Sequence, residues 1–195
     1  EISKGENAAG ELADGYLYWK AECRLRLEQF DAASAQLQEL LRKFPASEHA
    51  LSASVTLATV SARKNDWANV VQLLRPTEGK FQVLAKARPH SSWAQEGRLL
   101  LAQALFEQQD WKTAAEELGK LPASTELHRE WRRLFLFAKL ENQAGKPGDA
   151  LTTTARVAEL ARARGWALRE LTESRPTLED IFVQLTRPDE EGEIF

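Results

Sequence analysis

The sequence predicts an all-α protein built from repeated helix–turn–helix hairpins, and three observations carry that expectation. The stretch Tyr16 to Pro45, YLYWKAECRLRLEQFDAASAQLQELLRKFP, reads as two amphipathic helices joined by a tight turn. Taking Ala21, Phe30, Ala33 and Leu37 as marks, the internal steps are nine, three and four residues, and the same steps recur further along. Successive copies start 37, 44 and 36 residues apart, so the hairpin is fixed while the connections vary. A lone hairpin cannot cover its own apolar faces, so each copy needs neighbours of its kind.

The marks repeat at Ala58, Trp67, Val70 and Leu74, then at Ala102, Trp111, Ala114 and Leu118. A fourth, weaker copy gives Ala138, Pro147, Ala150 and Thr154. The residue types suit the slots. A small residue on the first helix lets two helices approach closely, an aromatic plugs the turn, and a second small residue lets the return helix nest.

Each element follows in order. Residues 1–11 are a polar lead-in with two glycines. The segment GENAAGEL has the glycines of a phosphate loop, but Glu11 and Leu12 stand where lysine and Ser/Thr must, so nothing there would hold a phosphate. The first helix runs to about Glu28 with Leu17, Ala21 and Leu25 inward. Asp31 is placed as the cap of the second, with Phe30 as its hydrophobic staple, and Ala33, Leu37, Leu40 and Leu41 form its apolar face. Ser47 or Glu48 starts the third helix, which carries Leu51, Val55, Ala58 and Ala62 to Lys64. Asn65 and Asp66 make the next turn and Trp67 opens the fourth helix. Between Pro76 and Pro89, TEGKFQVLAKAR breaks the rhythm, and its Phe81, Val83 and Leu84 predict a short packed helix that serves as a spacer or faces a partner.

Ser91 and Ser92 precede a fifth helix containing Trp93, Leu99, Leu100, Ala102, Leu105 and Phe106. Asp110 caps the sixth, which ends near Leu121 and Pro122. The seventh covers 125–144 and the eighth 148–164. From Trp166 the chain alternates briefly as a strand would, breaks at Ser174–Pro176, and restarts as a capped helix over 177–186 with Leu178, Ile181, Phe182 and Leu185 on one face. The expected organisation is therefore a lead-in (1–11), a stack of about four repeats (12–164) and an extension (165–195).

The marks, with the terminating Pro45, resemble the tetratricopeptide repeat over roughly residues 12–163. Lys20 in place of a usual leucine, Pro147 in place of the aromatic and the long connection before the third repeat depart from its pattern. The resemblance implies a right-handed superhelical solenoid whose first helices line a concave groove. It implies groove positions at Tyr18, Glu22, Leu25 and Arg26, at Val55, Thr59 and Arg63, at Leu99, Gln103, Phe106 and Glu107, and at Arg132, Phe135, Lys139 and Gln143. That mixed surface suits an extended peptide or a partner helix, and hence a protein-binding scaffold without chemistry of its own. Tyr18 and Glu22 occupy places of the lysine–asparagine clamp that some relatives use to hold a chaperone's terminal carboxylate, so chaperone-tail capture is not implied.

Two narrower resemblances stand beside this one. YWKAEC followed by RKFPASEHA looks like repeats of bacterial cell-envelope assembly factors, which favours periplasm over cytoplasm while leaving the compartment open. ELTESRPTLEDIFVQLT resembles the C-terminal segment of ATP-binding subunits of ABC transporters, which gives an alternative reading as an accessory segment of an ATP-driven transport complex. The phosphate loop, the signature glycine motif and the magnesium-binding aspartate of that family are absent, so no ATPase activity is implied. The segment also reads as a last capping helix closing the stack.

Composition excludes several classes. With 26 basic against 29 acidic residues and a net charge of −3, there is no electrostatic case for nucleic acid or an anionic membrane. No apolar run reaches the length of a membrane span. The one cysteine, Cys23, excludes an intrachain disulfide and reads as a small helix filler. Beginning at Glu1, the chain is expected to be a processed form or a fragment, which leaves open an upstream targeting segment. His49, His90 and His128 lie in separate connections without a carboxylate or cysteine at metal-ligand spacing. Glu116–Glu117 and Glu190–Glu191 are adjacent pairs, whose side chains diverge rather than cooperate as acid and base. Arg129, Arg132 and Arg133 form a small basic cluster on a helix face. No catalytic, cofactor or metal site is expected, the partner is a protein or peptide, and the oligomeric state is not given.

Overall fold

In the computed structural model, residues 12–124 and 126–163 are described. The strand from Trp166, the helix over 177–186 and the lead-in over 1–11 lie outside them. Among the described residues the structure is all-α, with nine helices: α1 (Ala13–Arg26), α2 (Phe30–Lys43), α3 (Ala50–Arg63), α4 (Trp67–Leu74), α5 (Lys80–Ala87), α6 (Ser92–Glu107), α7 (Trp111–Gly119), α8 (Leu127–Gln143) and α9 (Pro147–Ala163). They form two compact units, one ending at Leu121 and the other beginning at Pro122. The first holds the hairpins α1–α2, α3–α4 and α6–α7, with α5 inserted, and the second holds α8–α9.

All four hairpins turn in the same way. The mark read from the sequence as the turn aromatic is the first residue of each return helix: Phe30, Trp67, Trp111 and Pro147. Two residues before it the backbone is left-handed, at Glu28 (φ 58°), Asn65 (57°), Gln109 (63°) and Gly145 (71°). The following amide then reaches back five residues, with Gln29 N donating to Arg24 O, Asp66 to Ser61, Asp110 to Leu105 and Lys146 to Glu141, each at 2.9 Å. This is a Schellman ending, and it satisfies carbonyls that the first helix would otherwise leave open. Because one left-handed residue does the whole reversal, the residue after it already caps the next helix. Asp66 and Asp110 fill that role with their carboxylates, accepting from Asn69 N and Thr113 N.

The first hairpin differs from expectation at this point. Its cap is Gln29, which makes no side-chain cap bond, and Asp31 sits inside the helix instead. The turn geometry fixes the start of α2 two residues earlier than the residue type suggests. The Asp31 carboxylate is thereby turned to the next repeat, where it accepts from Lys64 Nζ at 2.8 Å.

The small-residue marks lie where helices cross. Ala21, Ala33, Ala58, Val70, Ala102 and Ala114 are fully buried, as are Leu37, Leu74 and Leu118. In the second unit Ala138 and Ala150 are buried while Thr154 is half-buried. The core of the first two hairpins joins Tyr18, Ala21, Leu37 and Leu40 to Ala53, Leu57 and Val60 of α3. Burying each such large aliphatic side chain favours folding by about 1.5–3 kcal/mol.

The break in the repeat rhythm is the expected short helix, α5. It packs against α3, α4 and α6 rather than standing off as a loop. Phe81 and Ala85 are buried, and Lys80 Nζ donates to Leu41 O at 2.6 Å. The Phe81 ring lies so close to α6 that a Cβ on Gly97 would meet its Cε2 at 2.3 Å and Val55 Cγ2 at 3.0 Å. Gly97 is therefore a contact site for a ring, and nothing in its own helix requires a glycine.

Candidate functional site

The first helices of the three hairpins in residues 12–121 set the expected binding positions at fixed distances from the small-residue mark. One residue after the mark stand Glu22, Thr59 and Gln103, all half-buried. Five residues after it stand Arg26, Arg63 and Glu107, all exposed. The repeat thus gives α1, α3 and α6 equivalent polar positions. Thr56 Oγ1 donates to Glu22 Oε1 at 3.0 Å, which ties α1 to α3 beside them. Thr59 is turned inward on its own helix, donating to Val55 O.

Neither Arg26 nor Arg63 makes an ion pair or side-chain hydrogen bond among the described residues. Their neighbours contrast with them. Lys64 is paired to Asp31, and Arg24 Nη1 donates to Ala32 O at 3.3 Å. The arginines at the repeated position therefore carry charge that no ion pair among the described residues neutralises.

Other expected positions are used for packing. Tyr18 is buried, stacked on His49 at 5.0 Å between ring centroids, and burial pushes its phenol above the usual value. Phe106 is buried on α6. Val55 and Leu99 are closed off within the core, Val55 with Phe81 of α5 about Gly97, so they do not offer the surface read for them from the repeat pattern. Leu25 is half-buried and packs against the first core.

In the second unit, Arg132, Phe135 and Lys139 are half-buried on α8 and Gln143 is exposed at its end. Lys139 Nζ stands 5.8 Å from the Phe135 ring centre, and Phe135 packs edge-on to Trp131. The basic cluster noted nearby is structural in part. Arg133 grips the Glu130 carboxylate with Nε and Nη2 at 2.9 and 2.7 Å, while Ser124 N donates to the same carboxylate at 2.8 Å. Burial raises the Glu130 pKa, but these donors outweigh it and hold the carboxyl below the usual range. Arg129 donates to Glu126.

The remaining candidates find plain roles. His49 precedes α3 and stacks on Tyr18, and His128 packs edge-on to Trp131. Ser47 Oγ donates to Asp14, which lowers the Asp14 pKa and also locks the loop before α3, since His49 N donates to Ser47 Oγ. Because the Ser47 proton goes to a carboxylate and the imidazole does not touch the hydroxyl, this trio is not a nucleophile with its base. Among the described residues no group of three His, Cys, Asp or Glu side chains could hold a metal, and no helix is long and apolar enough to cross a membrane. Beside α5 an open depression is lined by Thr77, Glu78, Gln82, Val83, Lys86, Ala87 and Arg98.

The described residues thus define an all-α protein of paired helices with a repeated turn. Residues 16–47 match the Tetratricopeptide repeat family, over most of α1, all of α2 and the turn beyond it. Comparisons with curated proteins and with solved structures gave no match. A tetratricopeptide repeat points to a protein partner.

Proposed function

We propose that the chain is a non-enzymatic scaffold whose first three hairpins form a right-handed superhelical turn, binding an extended acidic peptide or an acidic partner helix along α1, α3 and α6. The observation that carries this reading is the pair Arg26 and Arg63, exposed at the same place in successive repeats and without an ion pair among the described residues. Two cations one repeat apart suit a ligand with carboxylates spaced to match, and guanidinium binds carboxylate in two-pronged fashion. Glu22, Thr59 and Gln103 offer hydrogen-bonding partners for a ligand backbone beside them, and Glu107 sets the opposite charge at one end, which gives the ligand a direction. Arg132, Phe135, Lys139 and Gln143 of α8 supply a second, aromatic and cationic contact area.

The test is a random-peptide display library panned on the 195-residue chain, with recovered peptides measured by fluorescence anisotropy. The reading expects enrichment of acidic sequences. It also expects Arg26→Glu with Arg63→Glu to weaken their binding at least about tenfold, with circular dichroism unchanged. Recovery of peptides without acidic enrichment, or acidic peptides bound equally by the double variant, would contradict it.

A further inference from the structure

The face of α1 opposite Tyr18 and Ala21 carries a second apolar stripe, which runs beside Arg26 and from which the Trp19 ring packs edge-on to His49, 6.4 Å between ring centroids. Leu12, Tyr16, Trp19 and Leu27 are 73, 63, 62 and 67% exposed, and Cys23 on the same line is also exposed. With Leu17, Tyr18, Ala21 and Leu25 turned inward, α1 is apolar on two sides, the pattern of a helix covered on both. The next repeat shows what covering looks like. One repeat on, Tyr16, Trp19 and Cys23 correspond to Ala53, Thr56 and Val60 of α3, all buried within the first unit.

The spacing of the stripe identifies its occupant. Leu12, Tyr16, Trp19, Lys20, Cys23 and Leu27 follow one another at steps of four, three, one, three and four. That order reads the same from either end. A second α1 laid antiparallel, with the two-fold axis between residues 19 and 20, sets Leu12 against Leu27, Tyr16 against Cys23 and Trp19 against Lys20. Leucine meets leucine, Tyr16 meets Cys23, and Lys20, whose Nζ stands 5.2 Å from the Tyr16 ring centre of its own chain, comes to the indole of the second Trp19, a face that accepts a cation well. Such mutual pairing, in which i meets j and j meets i, is the requirement for a closed two-fold interface. The steps of four and three are also those that let helices pack along their length at a shallow angle.

We propose that this protein self-associates through an antiparallel pair of α1 helices. A helix pair of this length is at the small end of specific interfaces, so the dimer is a reversible one. Arg26 lies seven residues beyond Trp19 and so on the same side of α1, where a bound peptide and a second copy would compete for that end of the helix; neither proposal depends on the other.

Sedimentation velocity over a concentration series of the 195-residue chain tests the association, and disulfide trapping tests the register. The parent should shift from monomer to dimer with rising concentration. Tyr16→Glu should weaken that association at least about tenfold. Leu151→Glu, on an exposed leucine of α9 off the stripe, should leave it unchanged. Under mild oxidation with diamide, Tyr16→Cys should give a covalent dimer through pairing with Cys23 of the second copy, whereas the parent should not. Within one chain these two positions are about 10.5 Å apart on the helix, too far for a disulfide. A parent that stays monomeric at every concentration would overturn the proposal. So would dimers unaffected by Tyr16→Glu, or a parent that crosslinks through Cys23 itself.

Discussion

Helices α1 and α3 hold the same place in successive repeats, yet α3 is buried on nearly every side while α1 is buried on one. From Ala50 to Ala58 every α3 residue is buried, serines and threonine included. On α1 only Tyr18 and Ala21 are. Composition gives part of the difference, since α1 carries Asp14, Lys20, Glu22, Arg24 and Arg26 where α3 carries only Arg63. Neighbours give the rest: α3 lies between α1–α2 on one side and α4, α5 and α6 on the other. In a stacked repeat, burial belongs to the position in the stack, and a residue's cost on removal follows from what covers it.

The sharpest way to break that comparison is to truncate both helices. Leu57→Ala in α3 should cost about 2–5 kcal/mol, because it leaves a cavity among core side chains. Tyr16→Ala in α1, measured dilute, should stay within about 0.5 kcal/mol. Chemical denaturation of the two variants decides it, and equal losses would mean that α1 is covered as α3 is.

Two enlargements extend the comparison to α6 and α7. Ala102→Leu should overpack its crossing and cost about 1–3 kcal/mol. Gly97→Ala should cost a similar amount by pushing Phe81 off α6, visible as faster proteolysis between Pro76 and Pro89. A Cβ on Gly119 meets nothing within 4 Å. Gly119→Ala should therefore stabilise by about 0.4–1 kcal/mol.

The repeated turn gives a smaller effect of both signs. Gly145→Ala should cost about 1 kcal/mol, since a side chain is strained where φ is positive. Gln109→Gly should gain about 0.5–1 kcal/mol for the same reason. Thermal melts that moved in the same direction would show that the four turns are not equivalent.

Carboxylates make the last pair. Glu130 is gripped by Arg133 and is nearly buried, while Asp31 pairs with Lys64 in open solvent. Both pKa values are lowered, Glu130 against its burial and Asp31 chiefly by its hydrogen bond to Lys64. A lowered carboxylate contributes stability that is present above its unfolded pKa and lost as pH falls through the folded one. The α8–α9 unit should therefore lose stability on acidification below the ordinary glutamate range, and Glu130→Gln should flatten that dependence. Asp31→Asn should leave the acid limb unchanged, because solvent and salt screen so exposed a pair.

Much of this fold was legible because the repeat speaks through spacing. Alanines and leucines at nine, three and four placed the hairpins, and the aromatic slot marked the first residue of each return helix. The turn itself was legible only in part. Gly145 and Asn65 advertise a left-handed backbone, whereas Glu28 and Gln109 adopt it because the helix ending demands it. Asp31 is a good capping residue two positions beyond Gln29, where the turn puts the cap. Among the expected groove positions, the exposure of Arg26 and Arg63 on successive first helices was readable from the register alone. The burial of Val55 was not, and that residue lies with Phe81 about Gly97, beside an insertion that the repeat pattern does not describe. Gly97 also went unread, although a glycine inside a strongly apolar helix was the signal for a close packed ring.

Amide hydrogen exchange at low protein concentration, resolved to α1 and α3, tests the dependence on neighbours most directly. The account predicts that α3 amides between Val55 and Val60 exchange only with opening of the whole first unit, while α1 amides exchange sooner by local opening. Equal protection of the two helices in the dilute monomer would contradict it.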